Sequence, residues 1–259
     1  MRSKLAIVFV LLAVFLTACG HRNQFKPVVN PEFLNKSKEE LFKKAESLFD
    51  EHKWSKAREY YSYVYENFPN DPIGRRSLLR VADTYYQQGD TVNLVEAQYK
   101  YRDFINRYPG SEMADYAMLQ IANVSYKQML SPERDQTKTK EAVQKFKEML
   151  DAYPHSAYRA EAEEKLHNAL GRLAQHDHEV AEFYMKRGRY KAAMTRLNQV
   201  IDSYPDYEHR DQVFFDLATS LSHLGRKGEA RLYYERIVSE FPKSDLANRA
   251  KEKLQDTKA

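Results

Sequence analysis

The chain has 259 residues, 42% of them hydrophobic and 30% charged, with a formal net charge of +4. That balance suits a helix-rich globular protein. Both signs of charge alternate throughout, and Arg2 and Lys4 supply two of the four excess positive charges, so no phosphate-binding surface and no nucleic-acid partner are expected. The single cysteine, Cys19, excludes an internal disulfide and any cluster of cysteine ligands.

Residues 1–18 read as a sorting signal. Arg2 and Lys4 precede a short apolar run, Leu5 to Leu16, well below the roughly 20 residues a spanning helix needs. The run ends in Leu16-Thr17-Ala18-Cys19, followed by Gly20. This stretch resembles the bacterial lipobox, which implies that Cys19 is acylated and becomes the mature N-terminus. Three acyl chains would hold the protein firmly on a membrane, whereas one anchors only marginally. Gly20, rather than Asp, fits the outer-membrane branch of lipoprotein sorting. Residues 19–36 lack sustained periodicity, carry Pro27 and Pro31, and read as a lipidated tether reaching on the order of 50 Å when extended.

Residues 37–259 read as one helical solenoid. Five segments end in proline, at Pro69, Pro109, Pro154, Pro205 and Pro242. Twelve residues before each stands alanine: Ala57, Ala97, Ala142, Ala193 and Ala230. Eight before stands Tyr61, Tyr101, Phe146, Leu197 or Tyr234, and an aromatic residue immediately precedes every proline. These spacings trace one face of a helix, repeated five times. Turns are expected at His52-Lys53-Trp54, Gly89-Asp90, Gly188-Arg189 and Gly225-Arg226. Asp71, Ser111, Ser156 and Ser244 are placed to cap the helices that follow. The third unit carries a polar insertion, Ser131 to Lys140. The fourth carries an extra apolar run, Ala162, Leu166, Ala169, Leu170 and Leu173. Ala247, Ala250 and Leu254 lie on a final charged helix suited to capping the stack. The pattern resembles the tetratricopeptide repeat with lengthened units. The expected fold is all-α, an α-α solenoid of five hairpins plus a C-terminal capping helix.

Catalytic chemistry finds no foothold in the sequence. No nucleophile elbow, P-loop, H-E-x-x-H or dinucleotide fingerprint occurs, so no enzyme activity and no cofactor are expected. His167, His176 and His178 form the one histidine cluster, but residues two apart on a helix diverge, and no metal site is expected. Most of the nineteen tyrosines fall at packing positions of the template. Tyr85 and Tyr86 are adjacent on a first helix, so their directions differ by about 100°; if one packs, the other is a candidate for a peptide groove.

One ordered series carries a closer resemblance. It runs Arg134-Asp135-Gln136, Tyr153-Pro154-His155-Ser156-Ala157-Tyr158, Leu173-Ala174-Gln175-His176-Asp177, Val180-Ala181-Glu182-Phe183-Tyr184, Arg187-Gly188-Arg189-Tyr190, Ala192-Ala193 and Arg196. With the lipobox and the repeats, this resembles the BamD family, the tetratricopeptide lipoproteins of the outer-membrane β-barrel assembly machine. The resemblance implies a non-enzymatic scaffold, lipid-anchored on the periplasmic face of the outer membrane. It also implies that the C-terminal repeats bind the BamA periplasmic domain and the N-terminal repeats bind unfolded outer-membrane β-barrel proteins. Tyr85 and Tyr86 match paired tyrosines of the family, and Arg196 matches an arginine characteristic of the family, in the C-terminal repeats assigned to the barrel subunit, where its guanidinium could grip a carboxylate with two parallel hydrogen bonds. The bland alternative for Arg196 is a solvated charge whose stem covers apolar surface. Two other classes stay open: a pilotin-type lipoprotein assisting secretin assembly, and an envelope hydrolase, which lacks a recognisable nucleophile or acid pair.

Overall fold

A computed structural model describes residues 30–256; Cys19, the expected leader and residues 19–29 of the expected tether lie outside them. Within the described residues the chain holds a 3-10 turn, Pro31–Phe33, and eleven α-helices. They pair as α1 (Lys38–Asp50) with α2 (Trp54–Asn67), α3 (Pro72–Gln88) with α4 (Thr91–Arg107) and α5 (Ala114–Lys127) with α6 (Thr137–Ala152). The fourth and fifth hairpins are α7 (Arg159–Lys186) with α8 (Tyr190–Ser203) and α9 (Arg210–His223) with α10 (Lys227–Glu240). The last helix, α11 (Leu246–Asp256), packs on α10 and α9 and caps the stack. The fold is the α-α solenoid of five tetratricopeptide-like hairpins that the repeats predict.

The template positions explain why each second helix forms and stops. All five alanines are fully buried, and Tyr61, Tyr101, Phe146, Leu197 and Tyr234 are buried beside them. Small and large residues alternate on this face, which lets adjacent helices interlock. Each helix ends on the aromatic residue before proline, because proline's ring excludes the helical conformation at the preceding position. Phe68, Tyr108, Tyr153, Tyr204 and Phe241 share nearly one geometry, with φ between −132 and −127°. The expected left-handed turns are present at Gly89, Gly188 and Gly225, and His52 takes the same conformation in the first hairpin at φ 59°. At Gly89 even a single added carbon would lie 2.8 Å from the Lys127 ammonium nitrogen.

Four expectations change in detail. The expected tether is not free along its whole length: Phe33 is buried between the rings of Tyr60 and Tyr63, at 4.8 and 4.6 Å. The expected insertion Ser131–Lys140 is shorter, since α6 already starts at Thr137. Gln136 organises that loop, its amide donating to the carbonyls of Ser131 and Arg134. The extra apolar run of the fourth unit is the front half of one continuous helix, α7, about 42 Å long at 1.5 Å per residue. Ser111, Ser156 and Ser244 cap a turn one step ahead of the helix, accepting from Met113, Tyr158 and Leu246, while Asp71 caps α3 directly.

Neighbouring first helices meet one another, α1 with α3, α5 with α7 and α7 with α9, whereas second helices make at most marginal contact. First helices therefore line the inner side of the stack. The core is segmented along it. One cluster joins the first hairpin to α3, a second joins α3, α4 and α5, and a third joins α5, α6 and the front of α7. The largest runs from the rear of α7 to α11.

Candidate functional site

Burial along the first helices leaves a polar stripe facing inward, and its densest part lies between α1 and α5. Arg80 of α3 grips Glu46 of α1 with two bonds, Nε to Oε1 at 2.8 Å and Nη2 to Oε2 at 3.0 Å. Its third nitrogen donates to Asp83 at 3.0 Å. Tyr61 of α2 donates to Glu46 at 2.6 Å; Tyr101 of α4 and Tyr116 of α5 donate to Asp83 at 2.6 and 2.9 Å. One network thus ties five successive helices. Burial pushes the Asp83 carboxyl upward, while Tyr101, Arg80 and Tyr116 pull it back by favouring the carboxylate. Burial also raises Tyr61, Tyr101 and Tyr116, which stay protonated donors. Above this network opens a cavity of about 540 Å³, walled by Arg76, Arg80, Glu112, Asp115, Tyr116 and Tyr158 among others. It presents both charge signs and two aromatic rings.

Tyr85 and Tyr86 stand at the end of α3 and diverge as their adjacency requires. Tyr85 turns back toward α2, packs against the first two core clusters and carries the Arg58 guanidinium 3.5 Å above its ring. Tyr86 turns toward α5, where the Lys127 ammonium sits 4.6 Å from its ring and donates to its carbonyl. Burial raises the Tyr86 hydroxyl's pKa, and Glu161 on α7 adds to the effect. Both rings are half-buried. Neither lines the 540 Å³ cavity itself.

Arg196 lies on α8, half-buried, beside the fully buried Leu197. It donates to Gln199 on its own helix at 3.3 Å and makes no ion pair among the described residues. The same hairpin exposes Phe183, 51% accessible, with the Arg187 guanidinium 3.7 Å above the ring. Val180, Phe183 and Tyr184 wall a shallow, mainly apolar recess of about 430 Å³. A second exposed apolar stripe, Val92, Val95 and Tyr99, runs along α4.

Sequence reasoning missed the Glu46–Arg80–Asp83 network and a second polar contact, His178 Nε2 to Asp216 Oδ2 at 2.9 Å between α7 and α9. A signal was available. Glu46 and Arg80 are 34 residues apart, Asp83 and Tyr116 are 33 apart, and His178 and Asp216 are 38 apart, each about one repeat.

Comparison with known proteins places this architecture. The family model of YfiO, described as an outer membrane lipoprotein, matches residues 34–232. The chain is 26% identical to the outer membrane protein assembly factor BamD of Caulobacter vibrioides over 230 residues, 89% of this chain and 73% of that protein. It is 26% identical to the BamD of Neisseria meningitidis serogroup A over 221 residues, 83% of each. Among solved structures, the TPR2AB-domain:pHSP90 complex of yeast Sti1 aligns over 85% of this chain and 82% of that one, with TM-score 0.47 and 14% identity.

Proposed function

We propose a function from one premise: this chain belongs to the YfiO family of outer membrane lipoproteins. Its role is in outer-membrane protein assembly, in association with the β-barrel assembly machinery. The finer reading is a non-enzymatic scaffold, held on the periplasmic face of the outer membrane by acyl chains on Cys19. On this reading 1–18 is the leader, and the segment from 19 up to the Phe33 anchor is the tether. The N-terminal hairpins take extended segments of unfolded barrel proteins, with the cavity over Arg80 and Asp83 as the groove and Tyr86, one turn beyond Asp83 on α3, as a further contact outside it. The C-terminal hairpins hold the BamA periplasmic domain, with Arg196 facing a carboxylate on it.

The observation that carries the reading is the family match itself, which spans the first four hairpins and reaches Leu232, early in α10. Two features support the division of labour. The mixed-charge cavity and the exposed Phe183 recess lie on different hairpins, as separate ligands would require. Arg196 has a guanidinium without an internal carboxylate, so an outside one can take it bidentately. A pull-down from detergent-solubilised membranes tests all parts together. The parent is expected to bring down the barrel subunit, and Arg196→Glu to lose about 2–5 kcal/mol of that binding if the pair is desolvated. Tyr86→Ala is expected to weaken capture of a C-terminal barrel peptide at unchanged helicity, and Cys19→Ala to lose acyl label. Recovery of a secretin in place of the barrel subunit would turn the reading to a pilotin. Parent-like binding by Arg196→Glu removes that residue from the interface.

A further inference from the structure

His178 and Glu182 lie one turn apart on α7, so both side chains project from one face toward α9. Asp216, in the middle of α9, meets them there. One donor atom from each of the three residues lies within 4.8 Å of the other two. The charges around this point are lopsided. Asp216 is 7% exposed, yet its one ion-pair partner among the described residues is the His178 imidazole, itself 6% exposed. Glu182 meets Lys186 only at 3.5 Å, and that lysine is 77% exposed. Two carboxylates therefore converge on an imidazole with no permanent cation between them. Asp216 and His178 are buried while Glu182 reaches them from a half-exposed position, so the gathering offers a place for positive charge to enter.

We propose that His178, Glu182 and Asp216 form a binding site for a zinc-class divalent cation that clamps the fourth hairpin to the fifth. The donor set is one imidazole nitrogen and two carboxylate oxygens. Such a set suits zinc and its first-row neighbours, whereas magnesium and calcium select oxygen alone. Zinc bonds to these atoms at about 2.0–2.2 Å, so the three donors must draw in slightly around the ion. Glu182 supplies that movement, being half-exposed on a flexible side chain. On binding, the proton that His178 Nε2 donates to Asp216 moves to Nδ1 or leaves to solvent, and that hydrogen bond gives way to two metal bonds. Gln212 donates to the far oxygen of Asp216 at 2.9 Å and so orients the carboxylate, the supporting role that outer partners play in metal sites. The site opens onto a cavity of about 640 Å³ that also meets Glu179 and His209, leaving room for water as a fourth ligand. Sequence reasoning looked for a second histidine beside His178; the partners are carboxylates, one of them 38 residues away.

The proposal stands apart from the assembly role and is tested without it. The full chain, freed of metal by a chelator and desalted, is titrated calorimetrically with zinc chloride, and with magnesium chloride in parallel. One saturable zinc event is expected, with no magnesium event, and zinc should raise the thermal midpoint as any ligand of the folded state does. Glu182→Gln keeps the side-chain volume at a half-exposed position and removes one of the two converging charges, so its metal-free midpoint should not fall below the parent's. Its zinc affinity should fall about tenfold or more, and zinc should no longer raise its midpoint. His178→Gln should abolish the event if that buried variant folds; if it does not fold, Glu182→Gln decides alone. Absence of saturable zinc binding up to about 1 mM, the weak end of useful affinity, overturns the site. So does unchanged zinc affinity in Glu182→Gln, which would put the ion on the other histidines, His167, His176 or His209.

Discussion

Between α1 and α5, successive hairpins share a partly buried network of charges in addition to their apolar clusters; between α7 and α11, they meet through an apolar core. In the first region Glu46, Arg80 and Asp83 form a chain of ion pairs, closed by the hydroxyls of Tyr61, Tyr101 and Tyr116. In the second, Leu197, Val200, Phe214, Leu217, Tyr234 and Ile237 form one cluster, and His178 with Asp216 is its lone buried ion-pair contact among the described residues. The two regions share a template but answer to damage differently. A charge network depends on every member, because removing one leaves another buried and uncompensated. An apolar core loses only the area and packing of the atoms removed. The helix α7 spans two apolar segments of the core, its front half in the third cluster and its rear half in the last.

The largest effect is therefore expected at Arg80. Arg80→Met removes the one cation that, among the described residues, pairs with both Glu46 and Asp83, and should cost about 3–5 kcal/mol. Arg80→Lys keeps the charge but loses the fork that reaches both carboxylates, so it should fall between parent and Met. Because stacked repeats couple mainly to their neighbours, hydrogen exchange should speed up in α1–α5 and stay unchanged in α9–α11. A uniform loss of protection along the chain would show that the two regions unfold as one, and the distinction would collapse.

A smaller, graded effect is expected in the apolar region. Ile237 is fully buried in the last cluster, and Ile237→Val removes one methylene-sized group there. The expected cost is about 0.5–1.5 kcal/mol by denaturant titration, with loss of protection confined to α7–α11. A cost matching that of Arg80→Met would contradict the contrast drawn between directional and non-directional packing.

The halves also differ in how far they can be read from sequence. Apolar positions are legible because burial repeats with the period of the helix and again with the period of the unit. Ala57, Ala97, Ala142, Ala193 and Ala230 are all buried where the template puts them, and the prolines end all five second helices. The polar contacts are not legible at helical spacing. Asp83 sits three residues from Arg80 and looks like a solvated surface pair, yet it is buried because Tyr101 and Tyr116 close over it from later helices. Likewise Tyr85 and Tyr86 are legible as diverging, but that Arg58 and Lys127 occupy their faces depends on contacts 27 and 41 residues away. The boundary of α7 escaped for a different reason. Its extra apolar run continues the face of the helix behind it without a cap or proline, so nothing local separates a new element from a longer one.

The smallest expected effect lies at the very start of the stack, where polar anchoring meets an apolar plug. Phe33 is buried between Tyr60 and Tyr63, and the Tyr60 hydroxyl donates to Glu32. The hydrogen bond from Tyr60 holds the Glu32 carboxyl below its usual value of 4.5, with Lys56 adding to the effect. A carboxyl whose folded pKa is depressed contributes stability that is present above its unfolded value and lost as pH falls through the folded one. The turn should therefore loosen in acid, below 4.5, while the α-helices stay closed. Glu32→Gln should reproduce that loosening at neutral pH. The reporters are the amides of Phe33 and Leu34, which bond to Asn30 and Pro31 within the turn. Their protection factors should drop in the variant, and in the parent as pH falls below 4.5, with the global unfolding midpoint of the variant unchanged at neutral pH. Equal protection in parent and Glu32→Gln across that range would mean that the Phe33 plug alone holds the turn. The polar character of the first region would then begin at Glu46 rather than at Glu32.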